Sequence, residues 1–232
     1  MNGKKIVLFY KNLVDPGGAE RLLLNEYVHF KELGYDVDIV CFSIKNLALF
    51  DTNVDANNKI LLGSANWFLS MIQFAKYIRA NKNAVYLCAS GHIEMYIASL
   101  FSCAEYSLHI HHPSFMSFNE TDKYTLFQKK YFHEMLKSNF GASRFQQIYT
   151  NMPLLRKVYI NLRGYISIRA IKKSKYVFVL SKYAQKEKEI LFNVDSHVIC
   201  GALSQSIFKY KPKKSFSKYG NYKYKLLTIG RL

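Results

Sequence analysis

Short apolar runs alternate with amphipathic stretches along the chain. Residues 5–10 (KIVLFY) are apolar and rich in β-formers, and they predict a buried strand. Asp15-Pro16-Gly17-Gly18 breaks that run. Over residues 19–33 the apolar positions take helical spacing: Ala19, Leu23, Tyr27 and Phe30 share a face, with Leu22 and Leu33 beside it. Gly34 stands where a helix C-cap glycine belongs. Residues 37–42 predict the next buried strand, which completes a βαβ unit.

The alternation continues. Strands are expected over 59–62, 84–89, 106–111, 176–180 and 197–200. Helices are expected over 67–79, 92–101, about 124–139, 153–172 and 184–192. Strands alternating with helices predict an α/β fold, a Rossmann-like parallel sheet with helices on both faces. From Ser204 the texture changes. Residues 206–225 hold seven lysines and no acid, and read as a connecting segment. Residues 225–229 (KLLTI) then start another strand, and Gly230-Arg231-Leu232 follows. The expected organisation is a sheet domain over 1–203, a linker over 204–224, and the first strand of a second domain over 225–232.

Charge narrows the partners. Among 232 residues, 33 Lys and Arg face 16 Asp and Glu, for a net +17. A field of that sign favours nucleic acid, acidic lipid or phosphorylated ligands. Half the residues are apolar, which excludes a disordered chain. Cys41, Cys88, Cys103 and Cys200 form no CxxC pair and lie in apolar runs, so they read as reduced core residues. The N-terminus does not resemble a signal peptide, and no stretch reaches the roughly 18 apolar residues of a membrane span. A cytoplasmic protein is expected, soluble or peripheral to a membrane.

Three segments are candidates for chemistry. In open parallel sheets ligands bind beyond the carboxyl ends of the strands. The loop 15–20 (DPGGAE) delivers a helix N-terminus there, whose free N–H groups and dipole attract phosphate. Glycine lets the backbone approach closely, although Gly17-Gly18 equally suits a plain tight turn. The loop lacks the third glycine of G-x-G-x-x-G, which argues against a dinucleotide. In His109-Ile110-His111-His112-Pro113, alternation puts His109 and His111 on one face and Leu108 and Ile110 on the other. His111 and His112 reach the rim that carries the glycine loop. No nearby carboxylate completes a usual catalytic metal set, so metal is not expected. The stretch between Lys123 and Lys175 holds twelve Lys and Arg, one acid (Glu134) and interleaved Tyr and Phe. It suits an anionic membrane surface, or a solvated basic face over an aromatic stripe. No RNP-type, zinc-finger or helix-turn-helix signature supports nucleic acid. Glu94 and Glu105 are too isolated to argue as a carboxylate pair, and Ser181 either N-caps a helix or touches a ligand.

Residues 5–42, with GGAER followed by an apolar helix and LGYDVDIV, resemble the opening of the family 4 glycosyltransferases, retaining enzymes of the GT-B architecture. Residues 175–190 are similar to the strand–serine–helix unit that closes that family's first domain. Residues 226–232 (LLTIGRL) resemble the first strand of its second domain. The resemblance implies a nucleotide-diphosphate sugar donor and a glycan or lipid-linked acceptor, in cell-surface polysaccharide or lipopolysaccharide synthesis, with no cofactor or metal. It gives Gly17, Gly18 and Arg231 the donor phosphates. His111 would contact the transferred sugar, with His112 as the fallback. Glu20 and Ser181 are carried as candidate acceptor or ligand contacts. Gly201-Ala202-Leu203-Ser204 departs from the family's turn before the interdomain segment. The family's second-domain lysine and paired glutamates have no counterpart in these 232 residues. The chain is therefore expected to be inactive alone, or active with a separately encoded C-terminal half. The competing reading is a non-catalytic basic Rossmann-like module that binds anionic membrane or nucleic acid. A methyltransferase is disfavoured, because GGAER replaces its acidic glycine loop.

Overall fold

A computed structural model describes residues 5–13, 17–44, 59–63, 66–110 and 153–199. Seven strands form one sheet: β1 (Ile6–Tyr10), β3 (Val37–Cys41), β5 (Lys59–Leu61), β6 (Val85–Ser90), β7 (Tyr106–Ile110), β8 (Val177–Val179) and β9 (His197–Val198). Their order is β5-β3-β1-β6-β7-β8-β9, and every neighbouring pair is parallel. Two two-residue strands, β2 (Asn12–Leu13) and β4 (Ser43–Ile44), pair separately. The helices are α1 (Gly18–Glu32), α2 (Trp67–Ala80), α3 (His92–Ser102), α4 (Leu154–Lys173) and α5 (Lys182–Phe192).

The period-2 alternation of β1 divides its side chains between two cores. Ile6, Leu8 and Tyr10 join Leu23, Leu24 and Tyr27 of α1. Val7 and Phe9 join Met71, Phe74 and Ile78 of α2 and Met95 and Ala98 of α3, in a cluster that also takes Ile171 of α4 and Phe192 of α5. Phe9 stacks on Phe74 with ring centroids 4.2 Å apart. Each such fully buried ring contributes about 1.5–3 kcal/mol of transfer free energy.

The helices change face because the chain changes direction. From β1 it moves through α1 to β3 and on to β5. Then α2 returns it past β1 to β6, and β7, β8 and β9 follow outward. Crossovers of one hand running in opposite directions must cover opposite faces. Neighbouring strands β1 and β6 therefore mark the topological switch point.

The helix over 19–33 forms, but its buried stripe is Leu23, Leu24 and Tyr27, while Leu33 is exposed. Gly34 takes the left-handed φ of +82° that a helix-ending glycine supplies. The last helix starts at Lys182 rather than Ala184, because Ser181 caps it two residues earlier. Cys41 and Cys88 are buried free thiols, but Cys103 is exposed. Cys103 occupies the left-handed C-cap of α3, just before the chain enters β7. The helix expected over 124–139, Cys200, the linker over 204–224 and the strand over 225–232 lie outside the described residues.

Candidate functional site

At the switch point the end of β1 meets the turn between β6 and α3. The β1–β6 register shifts after Phe9: Phe9 opposes Cys88, but Tyr10 opposes Ser90. The extra residue, Ala89, is on β6, so that strand bends where it turns into α3. On the β1 side the chain continues past Tyr10 to Lys11. Its carbonyl accepts from the amides of Phe42 (2.9 Å) and Ser43 (3.3 Å), and the chain continues as β2. Its ammonium forms an ion pair with Glu94 in the first turn of α3. Glu94 is buried and also accepts from Trp67 Nε1 at 3.3 Å.

Gly91 makes this contact possible. It is the N-cap of α3 at φ +87°, ψ 41°. A Cβ there would lie 2.8 Å from Phe9 Cε1, 3.0 Å from Lys11 Cβ and 3.4 Å from Glu94 Oε2. Both the left-handed backbone and the close approach require glycine.

His92 follows. Its Nδ1 lies 3.8 Å from Cys88 Sγ, whose thiol approaches the Ser90 carbonyl at 3.3 Å. Burial pushes the imidazole down to about 4. The positive charge of Lys188 acts in the same direction, and the Glu94 carboxylate opposes both. His92 is therefore neutral at pH 7. Lys188 is itself buried, donates to Glu187 Oε2 at 3.2 Å and faces the Phe192 ring at 5.1 Å. Burial pulls its ammonium below the ordinary lysine range, and Glu187 resists that shift. Burial and the Glu94 charge raise the Cys88 thiol well above its ordinary value, which keeps it protonated.

On the same rim, α1 follows Gly17, an extended N-cap (φ −75°, ψ 173°), and among the described residues no side chain caps it. The Gly17 carbonyl accepts from Arg21 N at 3.1 Å, which starts the helical ladder. The amides of the first turn have no intrahelical partner. Gly18 is exposed, and a Cβ on it would meet nothing within 4 Å. Packing does not require glycine there. Glu20 accepts from the Tyr10 hydroxyl at 2.9 Å, which ties the first turn of α1 to the end of β1. Burial first, and Glu20 second, hold that hydroxyl protonated.

Gly17, Gly18 and Glu20 thus come together next to the switch point. Ser181 does not join them. It is an exposed N-cap that accepts from Ala184 N at 3.2 Å, and β8, which precedes it, lies three places from β1, roughly 14 Å by strand spacing. The alternation expected of the histidine strand is present as far as Ile110. Leu108 and Ile110 join the α2–α3 core, while His109 is buried toward α1 with Nδ1 2.7 Å from Glu26 Oε1. His111, His112 and Arg231 lie outside the described residues. Sequence reasoning missed Lys11, Gly91, His92 and Glu94. The available signal was Ser90-Gly91, a strand-to-helix glycine turn that repeats the position of Gly17-Gly18 one strand over. Among the described residues no three His, Cys, Asp or Glu side chains converge to hold a metal ion.

No family model and no curated protein matches this chain. It is similar to the solved structure of a UGT transferase from Siraitia grosvenorii in complex with UDP, at a TM-score of 0.44 and 10% identity over 88% of this chain and 54% of that one. It is also similar to Phytolacca americana UGT2 complexed with UDP-2fluoro-glucose and pterostilbene, at 0.44 and 11%, over 90% and 56%. The chain spans about half the length of these structures. Likeness this distant carries no functional argument.

Proposed function

We propose that this chain is the N-terminal half of a GT-B glycosyltransferase that takes a nucleotide-diphosphate sugar as donor and a glycan or lipid-linked acceptor. The observation that carries the reading is the first turn of α1, which no described side chain caps, on the same rim of the sheet as Lys11. The amides of that turn and the helix dipole supply the donors and the partial positive charge that a departing diphosphate needs, with the Lys11–Glu94 ion pair as a further polar contact on that rim. Glu94 keeps Lys11 aimed. Neutral His92 offers an imidazole for a sugar hydroxyl without a competing positive charge. The resemblance to family 4 adds retention of configuration, Gly17 and Gly18 at the donor phosphates, and His111 or His112 at the transferred sugar. It also adds Arg231 as a phosphate cation in a second domain, metal-free chemistry, and a role at the cytoplasmic face in cell-surface polysaccharide synthesis. Glu20 fixes the first turn of α1 for this purpose.

Trp67 supplies the test. It is the single tryptophan and it touches Glu94, so occupancy beside Lys11 changes its fluorescence. UDP and GDP titrations of the whole chain should give saturable quenching. Gly18→Val, which projects into open space, should weaken binding about tenfold or more at unchanged melting temperature, a loss of about 1.4 kcal/mol or more. Absence of saturable binding by either nucleotide, or equal binding by the variant, removes the phosphate cradle.

A further inference from the structure

The outward face of α4 is apolar where a surface helix is ordinarily polar. Leu154, Leu155, Val158, Tyr159, Leu162 and Tyr165 are each between 56% and 84% exposed. At 100° per residue they fill an arc of about 140° over three turns. The opposite face, through Gly164, Ser167, Ala170 and Ile171, is the buried one. The helix sequence carries six Lys and Arg and no acid. Arg163, Arg169, Lys172 and Lys173 are exposed, and Arg169 lies over the Tyr165 ring at 5.5 Å.

The helix is also placed at the rim of the sheet. The Tyr106 hydroxyl donates to the Ala170 carbonyl at 2.6 Å, and the Lys175 amide donates to Tyr106 O at 2.8 Å. The first contact pins the last turn of α4, and the second the segment just after it, to the start of β7. From Ala170 back to Leu154 the helix rises about 24 Å, whereas β7 rises about 13 Å, so the first turns reach beyond the strand's carboxyl end by about 10 Å. That is the rim on which the β1–β6 site opens.

We infer that the first three turns of α4 lie on an anionic lipid bilayer, with Leu154, Leu155, Val158 and Leu162 at the acyl boundary, the two tyrosines at headgroup level, and the flanking Arg and Lys on lipid phosphates. Charge selects this occupant. A helix of six cations and no acid complements an anionic surface, and aliphatic residues flanked by Tyr, Arg and Lys match the layers of an interface. The inference goes beyond the transferase reading and stands without it, since vesicle binding and nucleotide binding are read separately.

The test is co-sedimentation of the whole chain with phosphatidylcholine vesicles containing about 30% phosphatidylglycerol, against pure phosphatidylcholine. Binding is expected to the anionic vesicles, weaker at high salt. The double variant Leu155→Asp/Leu162→Asp, at two exposed positions, should bind about tenfold or more weakly with an unchanged circular dichroism spectrum. Failure to bind anionic vesicles overturns the inference. So does equal binding by the variant, and so does self-association that the variant abolishes while vesicle binding persists, because α4 then meets a second copy instead.

Discussion

Two glycines of the candidate site make opposite demands on the residue. Gly91 has a left-handed φ of +87° and Phe9 Cε1 waiting 2.8 Å from any Cβ. Gly18 has neither constraint. Gly91→Ala should therefore cost about 2–4 kcal/mol, the strain of a left-handed alanine plus the displacement of a core ring. Gly18→Ala should change stability by about 0.5 kcal/mol or less, or raise it by restricting the unfolded chain. Urea unfolding of both variants checks the contrast, and equal losses would refute it. His92 makes a prediction about pH. Its folded value is about 4 against 6.5 in a model peptide, because burial and Lys188 outweigh Glu94 and the Cys88 thiol beside it is uncharged. Between those values the unfolded chain holds a proton that the folded chain refuses, so this residue's effect on stability is adverse as pH falls from 6.5 toward 4. The loss is up to about 3 kcal/mol, less in so far as this half-buried residue keeps water. His92→Asn should flatten that part of the stability–pH curve, and a curve parallel to the wild type would show that His92 titrates normally.

At the scale of elements, the periodicities were legible and the partnerships were not. The strand and helix pattern predicted the seven main strands and five of the described elements' helices to within about two residues, because a buried strand or an amphipathic helix writes itself in local spacing. The two-residue strands β2 and β4 leave no such trace. Glu94 looked isolated because its cation, Lys11, is 83 residues away, and His109 meets Glu26 across the same separation. The switch point is likewise a property of strand order, which spacing does not encode. Helix α5 shows the same limit. Its sequence KYAQKEKEILF is rich in charged residues, yet Glu187 and Lys188 are both buried as a pair, with Lys188 facing Phe192. Lys188→Met leaves the Glu187 carboxylate buried without its cation and should cost about 3–5 kcal/mol. Adding Glu187→Gln should recover much of that loss, because the desolvated charge is then gone. Denaturant unfolding of the two singles and the double measures the coupling; simple additivity would mean that the pair does not interact in the folded protein.

For the whole molecule the dominant electrostatic fact is excess. Thirty-three cations against 16 acids leave +17 spread over 232 residues. Ion pairs such as Lys5–Asp38 and Lys175–Glu105 take up acids in the described part, but the acids are outnumbered about two to one whatever their pairing. Compact folding brings like charges together, and the same field that attracts phosphate and anionic lipid works against the folded state. Raising sodium chloride from about 0.01 M to about 0.1 M shortens the screening length from about 30 Å to about 10 Å. That removes repulsion across the molecule while costing each exposed ion pair at most about 1 kcal/mol. The melting temperature should therefore rise over this range by a few degrees, since about 1 kcal/mol shifts a chain of this size by roughly 2–4 °C. A flat or falling melting temperature would mean that local ion pairs outweigh the global field. The excess charge would then be arranged in patches too far apart to repel, and steering of anionic ligands toward the β1–β6 rim would have to come from the first turn of α1 alone.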